Sequence, residues 1–429
     1  MIPVWALIPF VIQLFTIAIA PLFFEHWWEK NRNKLIVSLV LSVPIVVFTL
    51  SNSMFGALEH QILFDYLPFI ILLCSLFVIT GGIHLGGDIQ AKPSVNTAFL
   101  GIGYILASIM GTTGAAMLLI RPVLTTNSQR KYKTHTVLFF IAVVANCGGL
   151  LTPLGDPPLF LLYLRGAEFT WFLHLIPEWA FVGALLLTIY YFVDKYYFKK
   201  EDWVAISADV REKMPIHIHG NMNFALLLGV VLSVAFINPS YIPAMADHHA
   251  PLYIKFLREI VLIVLIVLSI VLTRKTVRHQ NKFTWSPILE VAAIFLGIFV
   301  TMTPALLFLN QHAQAIGLHA PWQFYYATGA LSSFLDNAPT ALAFHSVAQG
   351  LPATAGTLVA GIPEILLKAI AIGAVFFGSM TYIGNGPNFM VKAIAEENKV
   401  PMPSFFGYIV KFSLIVLLPV YIVTQLLFL

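Results

Sequence analysis

The sequence predicts an all-α polytopic membrane protein made of two inverted repeats of five transmembrane helices, each with a re-entrant hairpin and a broken helix. Three observations predict it. The composition is too apolar for a soluble surface, apolar segments of span length recur between polar loops, and one motif occurs twice.

Of 429 residues, 59% are hydrophobic and 10% are charged, with a mean hydropathy of +0.86. A soluble chain carries about 25% charged residues. Soluble enzymes, nucleic-acid binders and disordered scaffolds are therefore excluded. The net charge of +4 is too small to imply a nucleic-acid partner and fits cytoplasmic loops carrying Lys and Arg. Cys74 and Cys147 both lie in apolar runs, which leaves no disulfide framework and no cysteine metal site.

A helix needs about 20 apolar residues to cross roughly 30 Å of hydrocarbon. The first candidate is 3–24. Its Ala18-Ile19-Ala20 resembles a signal cleavage site, but no basic region precedes it and Pro21 follows, so it reads as an uncleaved helix. Further spans are 35–52, 66–83, 135–163 and 171–193. A polar linker, 194–220, carries Lys195, Lys199, Lys200, Glu201, Asp202, Arg211, Glu212 and Lys213. Spans 222–238, 254–273, 286–308, 362–392 and 405–428 complete the set. Segments 96–126 and 323–349 are apolar but interrupted near the middle by Gly, Thr, Asn and Pro. They read as re-entrant hairpins, tolerated where irregular backbone is buried or lines a cavity.

The basic residues test this count. With residues 1–3 outside, Lys30, Arg32, Lys34, Lys92, Arg130, Lys131, Lys133, the linker, Arg274, Lys275, Arg278 and Lys282 all fall inside. Stretches 53–66, 239–253 and 309–322 carry no Lys or Arg and fall outside. Ten spans and two hairpins thus satisfy the positive-inside rule, with only Arg165 misplaced among the short loops. Both termini are expected outside a cell (inner) membrane.

Residues 149–160 (GLLTPLGDPPLF) and 378–389 (GSMTYIGNGPNF) share G-x-x-T-x-x-G-x-x-P-x-F at an offset of 229. Repeat one is 1–193, and repeat two is 221–429. Five spans is an odd number, so the second repeat must be upside down. Inverted repeats with matching Gly/Pro-broken helices mark secondary transporters, with the binding site at the breaks near the bilayer midplane.

An ionisable residue inside a span is a functional hypothesis by default. Asp156 in the first break and Asp336 at the second hairpin tip are the deepest. If each tip meets the break of its own half, one site gathers Asp156, Thr112, Thr113, Asn146 and Thr152. The other gathers Asp336, Asn337, Thr381, Asn385 and Asn388. Gly148, Gly149, Gly155, Gly384 and Gly386 would let the backbone turn and approach. Hard cations take oxygen ligands, so such sites suit Na⁺ or H⁺. The competing reading of either aspartate is a helix N-cap, with Pro157 at N1 of the following half-helix. Glu364 and Lys368 are spaced to pair along one helix. Arg121 either faces an anion or has a snorkelling or scaffold role, and Glu290, near a helix end, reads as solvated or interfacial. The His217/His219 and His248/His249 pairs read as solvated loop residues. Trp27, Trp28, Trp171 and Trp179 read as interfacial anchors.

The layout, with NCGGLLTPLGDPP in one half and LDNAPT then GSMTYIGNGPN in the other, resembles the ion transporter superfamily. That group includes NhaD-type sodium/proton antiporters, arsenite permeases, citrate permeases and sodium-coupled dicarboxylate carriers. The resemblance implies a homodimer with a scaffold part and a moving transport part. Dicarboxylate carriers have Ser-Asn-Thr at both tips, where this chain has Gly111-Thr112-Thr113 and Asp336-Asn337-Ala338, which leans towards the NhaD-like branch.

The leading expectation is therefore a secondary antiporter exchanging Na⁺ (or Li⁺) for H⁺ by alternating access. Desolvation raises the pKa of a buried carboxylate, so it can hold either ion. The alternative is cation-coupled transport of citrate or a dicarboxylate. An intramembrane aspartyl protease is a remote third reading, since Gly155-Asp156 lacks the Gly-x-Gly-Asp motif. No enzymatic step and no cofactor is expected, and no P-loop is present. The expected partners are small ions, a small carboxylate in the alternative reading, and the bilayer.

Overall fold

A computed structural model describes residues 2–202, 206–207, 214–247, 249–352 and 356–429. Arg211, Glu212, Lys213 and His248 lie outside the described residues.

The first half opens with α1 (Ile8–Phe23) and α2 (Asn31–Ser51). Next comes α3 (Leu67–Thr80), entered through a wider-wound π turn at Gln61–Tyr66. Strand β1 (His84–Asp88) leads to α4 (Pro93–Met110) and α5 (Thr112–Thr126). Helix α6 (Thr134–Val143) is followed by a 3₁₀ turn at Cys147–Leu151, then by α7 (Pro157–Leu164) and α8 (Ile176–Phe198).

The linker contributes β2 (Met214–His219), and the second half contains α9 (Met222–Phe236), α10 (Leu257–Leu272) and α11 (Ser286–Gln311). Then come α12 (Pro321–Phe334), α13 (Asn337–Gln349) and α14 (Glu364–Phe377). After a 3₁₀ turn at Gly378–Met380, α15 (Gly386–Glu397) and α16 (Leu418–Phe428) close the chain.

Eight helical stretches among the described residues are long and apolar enough to cross a membrane, so the chain is a multi-pass membrane protein. Seven of them fall on expected spans, and the eighth, Pro93–Met110, is a hairpin arm. Helices α9 and α10 have 15 and 16 residues, about 22–24 Å at 1.5 Å per residue, and fall short of the length expected of them. The stretch 362–392 is divided between α14 and α15.

Two packing groups result. Helices α1, α2, α3, α9, α10 and α11 pack on one another, and α4–α8 with α12–α16 form the other group. The groups meet where α3 touches α5 and α7, and where α11 touches α13. The linker residues 214–219 pair with the first half. β2 pairs antiparallel with β1, His84 opposite His219. Sequence reading left His217 and His219 in a loop, because a six-residue strand carries little signal without its partner.

The interruptions have local causes. Gly111 joins α4 to α5 at φ +80°, a backbone conformation that costs a side chain dearly. Extended backbone at Leu335 and Asp336 turns α12 into α13. Prolines in the first turns of α7 and α15 lack an N–H that would be unpaired there anyway.

Candidate functional site

Asp156 lies at the end of the first break, 1% exposed. It occupies the N-cap position of α7, yet its side chain accepts no capping hydrogen bond. The carboxylate instead faces three donors from three other segments. Thr112 Oγ1 donates to Oδ1 at 2.8 Å, Asn385 Nδ2 to Oδ1 at 3.0 Å, and Asn337 Nδ2 to Oδ2 at 2.5 Å.

These contacts replace the expected pair of separate sites with one. Thr112 belongs to the first hairpin, but Asn337 and Asn385 come from the second hairpin and second break. The structure joins the halves because both tips dock towards the same point. The Thr112 N–H donates to Gly155 O at 2.8 Å, seating the first tip on its break. Asn146 Nδ2 donates to Asn388 Oδ1 at 2.6 Å, and Asn385 Nδ2 to Asn146 Oδ1 at 3.2 Å, so the two breaks also lock together. Asn388 Nδ2 in turn satisfies Gly378 O and Thr381 O at 2.8 and 2.9 Å.

The remaining predicted residues separate by role. Thr152 Oγ1 donates to Ser108 O and Thr381 Oγ1 to Ser333 O, so both threonines brace the breaks instead of facing Asp156. Each also accepts from the backbone two residues on, Leu154 N–H and Ile383 N–H, both at 3.2 Å. This pattern recurs in the two halves. Sequence reading missed Ser108 and Ser333, although each stands three residues before the residue that opens its tip. Thr113 is half-buried and borders a cavity of about 80 Å³ with Pro157, Leu76 and Pro287. Gly148 and Gly149 lie within the first 3₁₀ turn. A methyl on Gly155 would overlap Gly149 O, and one on Gly384 would overlap Gly378 O, so the glycines permit the folded-back breaks. Gly386 is exposed at the start of α15 with open space beside it.

Asp336 stands apart from this network. It caps α13, accepting from Ala338 N–H at 3.0 Å, while Thr340 Oγ1 donates to its carbonyl at 2.9 Å. Asn337 Oδ1 is buried without a hydrogen-bond partner among the described residues.

Helices α5, α7, α13 and α15 all begin at this point, at Thr112, Pro157, Asn337 and Gly386. Each helix N-terminus carries roughly half a positive charge. Four together sum to about two positive charges, by the same estimate, and they face two carboxylates, Asp156 and the Asp336 cap of α13. Among the described residues, no Lys or Arg side chain touches Asp156.

Other expected roles change. Glu364 and Lys368 do not pair: Lys368 bridges to the buried Glu178 of α8, and Glu364 accepts from Trp171 Nε1 at 2.9 Å. Their side chains reach across to α8 and the turn before it, where a buried carboxylate needs a cation more than a solvated one does. Glu290 pairs with the buried Lys34 at 2.7 Å, which makes it a tie between α11 and α2. Trp171 is buried, and Trp179 donates to Gly148 O at 3.1 Å while stacking on Tyr104, so neither is a lipid anchor. Trp28 is also buried, and Trp27 is exposed.

The far end of α7 is tied to the other packing group. Arg165 reaches Asp65 at 2.8 Å and Gln61 at 3.3 Å. Tyr163 Oη donates to Val234 O at 2.9 Å and accepts from Arg258 Nη1 at 3.1 Å. Among the described residues, no hydrogen bond or ion pair links α15 to that group.

The whole chain, residues 1–429, matches the protein family described as "Putative citrate transport". A "46 kDa membrane protein" of Mycobacterium leprae (strain TN) is 26% identical over 405 residues, covering 88% of this chain and 89% of that one. "Inner membrane protein YbiR" of Escherichia coli (strain K12) is 28% identical over 132 residues, covering 28% of this chain and 35% of that protein.

Proposed function

The chain belongs to the family described as "Putative citrate transport", and from that premise we propose that it is a secondary transporter of citrate or a related small carboxylate, coupled to Na⁺ or H⁺. The observation that carries this reading is the convergence of four helix N-termini on the residues around Asp156. Such termini favour anions, both through their N–H groups and through the helix dipole. Asp156 and the Asp336 cap of α13 together offset about all of that field when both are charged, by the estimate of half a charge each. A substrate carboxylate therefore needs a proton or a cation bound with it, and Asp156 with the unpaired Asn337 Oδ1 offers oxygen for one.

Sodium/proton antiport, the leading expectation from sequence, keeps one supporting observation. Asp156 is buried with neutral donors only, so a proton and a Na⁺ ion would compete for it. The shared elements of both readings are alternating access, a chain with both termini outside an inner membrane, and a homodimer. Both also dispense with a resident cofactor and with chemical conversion of the cargo.

Reconstituted vesicles separate them. Under an imposed Na⁺ or proton gradient, labelled citrate or succinate should accumulate, and the gradient should dissipate only when carboxylate is present. Proton flux driven by Na⁺ without any organic anion would instead establish the antiporter.

A further inference from the structure

Helix α5 starts at the site, where Thr112 donates to Asp156. Most of this helix is buried, but Thr113, Met117, Leu118, Arg121 and Thr125 are not. Four of these, at 113, 117, 121 and 125, are spaced by four and share one face, on which Met117 packs on the cluster of Phe77, Val78 and Ile288. That face begins one residue past Thr112 and reaches Arg121 eight residues on, about 12 Å along the axis. Helical side chains lean towards the N-terminus, so a long side chain at 121 covers the turn nearer the site.

Arg121 differs from the other arginines of the helical core. Arg130 pairs with Asp194, Arg165 with Asp65 and Arg258 with Glu259, and Arg278 donates to Val78 O. Arg121 makes no ion pair or hydrogen bond among the described residues. A half-buried, uncompensated guanidinium within a membrane bundle is costly unless water or an anion meets it. Helix α5 packs against α15, which begins at the exposed Gly386. The basic residue on that neighbour, Lys392, is neutralised by Glu396 at 2.9 Å.

We propose that Arg121 is the specificity-determining cation on the path to the site, engaging a carboxylate of the substrate before or while another faces the helix N-termini at Asp156. The assignment rests on the carboxylate reading above. A guanidinium suits the task because its planar fork meets a carboxylate with two parallel hydrogen bonds.

The test uses the full-length protein in vesicles, with initial rates of labelled citrate uptake. Arg121→Gln should raise KM about tenfold while kcat changes little, the size expected for lost electrostatic capture. Arg121→Lys keeps the charge without the fork and should recover part of the affinity. The wild-type KM should rise with added salt more steeply than that of Arg121→Gln, because screening acts on the removed charge. An unchanged KM in Arg121→Gln overturns the proposal while leaving citrate transport standing. So does a KM defect that vanishes in vesicles without anionic lipid, since Arg121 would then be holding headgroup phosphate. A wild-type protein that moves no carboxylate overturns both readings together.

Discussion

Asn337 donates to Asp156 across 181 residues of sequence, its Nδ2 lying 2.5 Å from Oδ2. The bond joins the tip of the second hairpin to the break of the first half. One carboxylate therefore reads the position of both halves, and any movement that separates the tip from the break must first unpair a buried charge.

Replacing Asp156 by asparagine removes the charge while keeping the size. The three donors from Thr112, Asn337 and Asn385 would then face a neutral amide, one end of which is itself a donor. Coupled transport should be lost in either functional reading, with the protein still monodisperse in detergent. Full activity of Asp156→Asn in vesicles would remove this residue from the mechanism.

Asn337→Ala deletes one charge-assisted donor from a buried carboxylate. Such a bond contributes about 1.5–3 kcal/mol. About 2 kcal/mol corresponds to roughly thirtyfold; losing the donor destabilises the free carboxylate and strengthens proton competition by up to that order, while the cation also loses Oδ1 as a ligand, so its apparent constant should rise. Cation titration of transport in vesicles measures it, and an unchanged constant would show that the Asn337 amide does not shape the cation site.

Competition supplies a pH test. A carboxylate that holds a proton cannot also hold Na⁺, so lowering pH must weaken apparent Na⁺ binding wherever Asp156 is partly protonated. By linkage the apparent constant should rise up to about tenfold per pH unit for one shared carboxylate. A Na⁺ constant that stays flat from pH 5 to pH 9 in transport assays would mean the two ions use different groups.

How far the sequence reveals this site depends on the kind of interaction. Gly111, the proline-marked starts of α7 and α15 and the G-x-x-T-x-x-G repeat are visible because backbone breaks need particular residues locally. Thr112, Asn337 and Asn385 are visible as polar residues in apolar surroundings, but their grouping around one carboxylate is not. That grouping is set by how two hairpins dock, which no local pattern encodes. The roles of the two aspartates show the same limit. Both precede a helix, and only the tertiary positions of Thr112, Asn337 and Asn385 decide that Asp156 turns inward while Asp336 caps. The Arg165–Asp65 tie was hidden because Arg165 reads as a loop residue and its partner is 100 residues away.

Asp336 allows a clean separation of capping from ion exchange. Asparagine is among the best N-cap residues, so Asp336→Asn should keep α13 and cost only a few tenths of a kcal/mol, whereas Asp336→Ala should cost about 1 kcal/mol. If Asp336 acts only as a cap, citrate transport should survive the asparagine change. Loss of coupling in a stable Asp336→Asn protein would restore this aspartate to the transport cycle.

The Arg165–Asp65 tie should behave asymmetrically. Arg165 is 25% exposed at the side chain and Asp65 is 3% exposed. Arg165→Gln strands a buried carboxylate, which costs about 3–5 kcal/mol when its partner is removed. Asp65→Asn leaves a cation that can turn to water, so its cost should be nearer 1 kcal/mol, the value of an ordinary hydrogen bond. The double variant should be more stable than Arg165→Gln alone, because the stranded charge is gone. Hydrogen exchange at residues 163–168 reads the opening of this end of α7 directly. At 1.4 kcal/mol per decade, Arg165→Gln should accelerate exchange there by about a hundredfold or more and Asp65→Asn by about fivefold. Equal exchange in Arg165→Gln and wild type would show that the α7 end is held shut by Tyr163 and its partners alone.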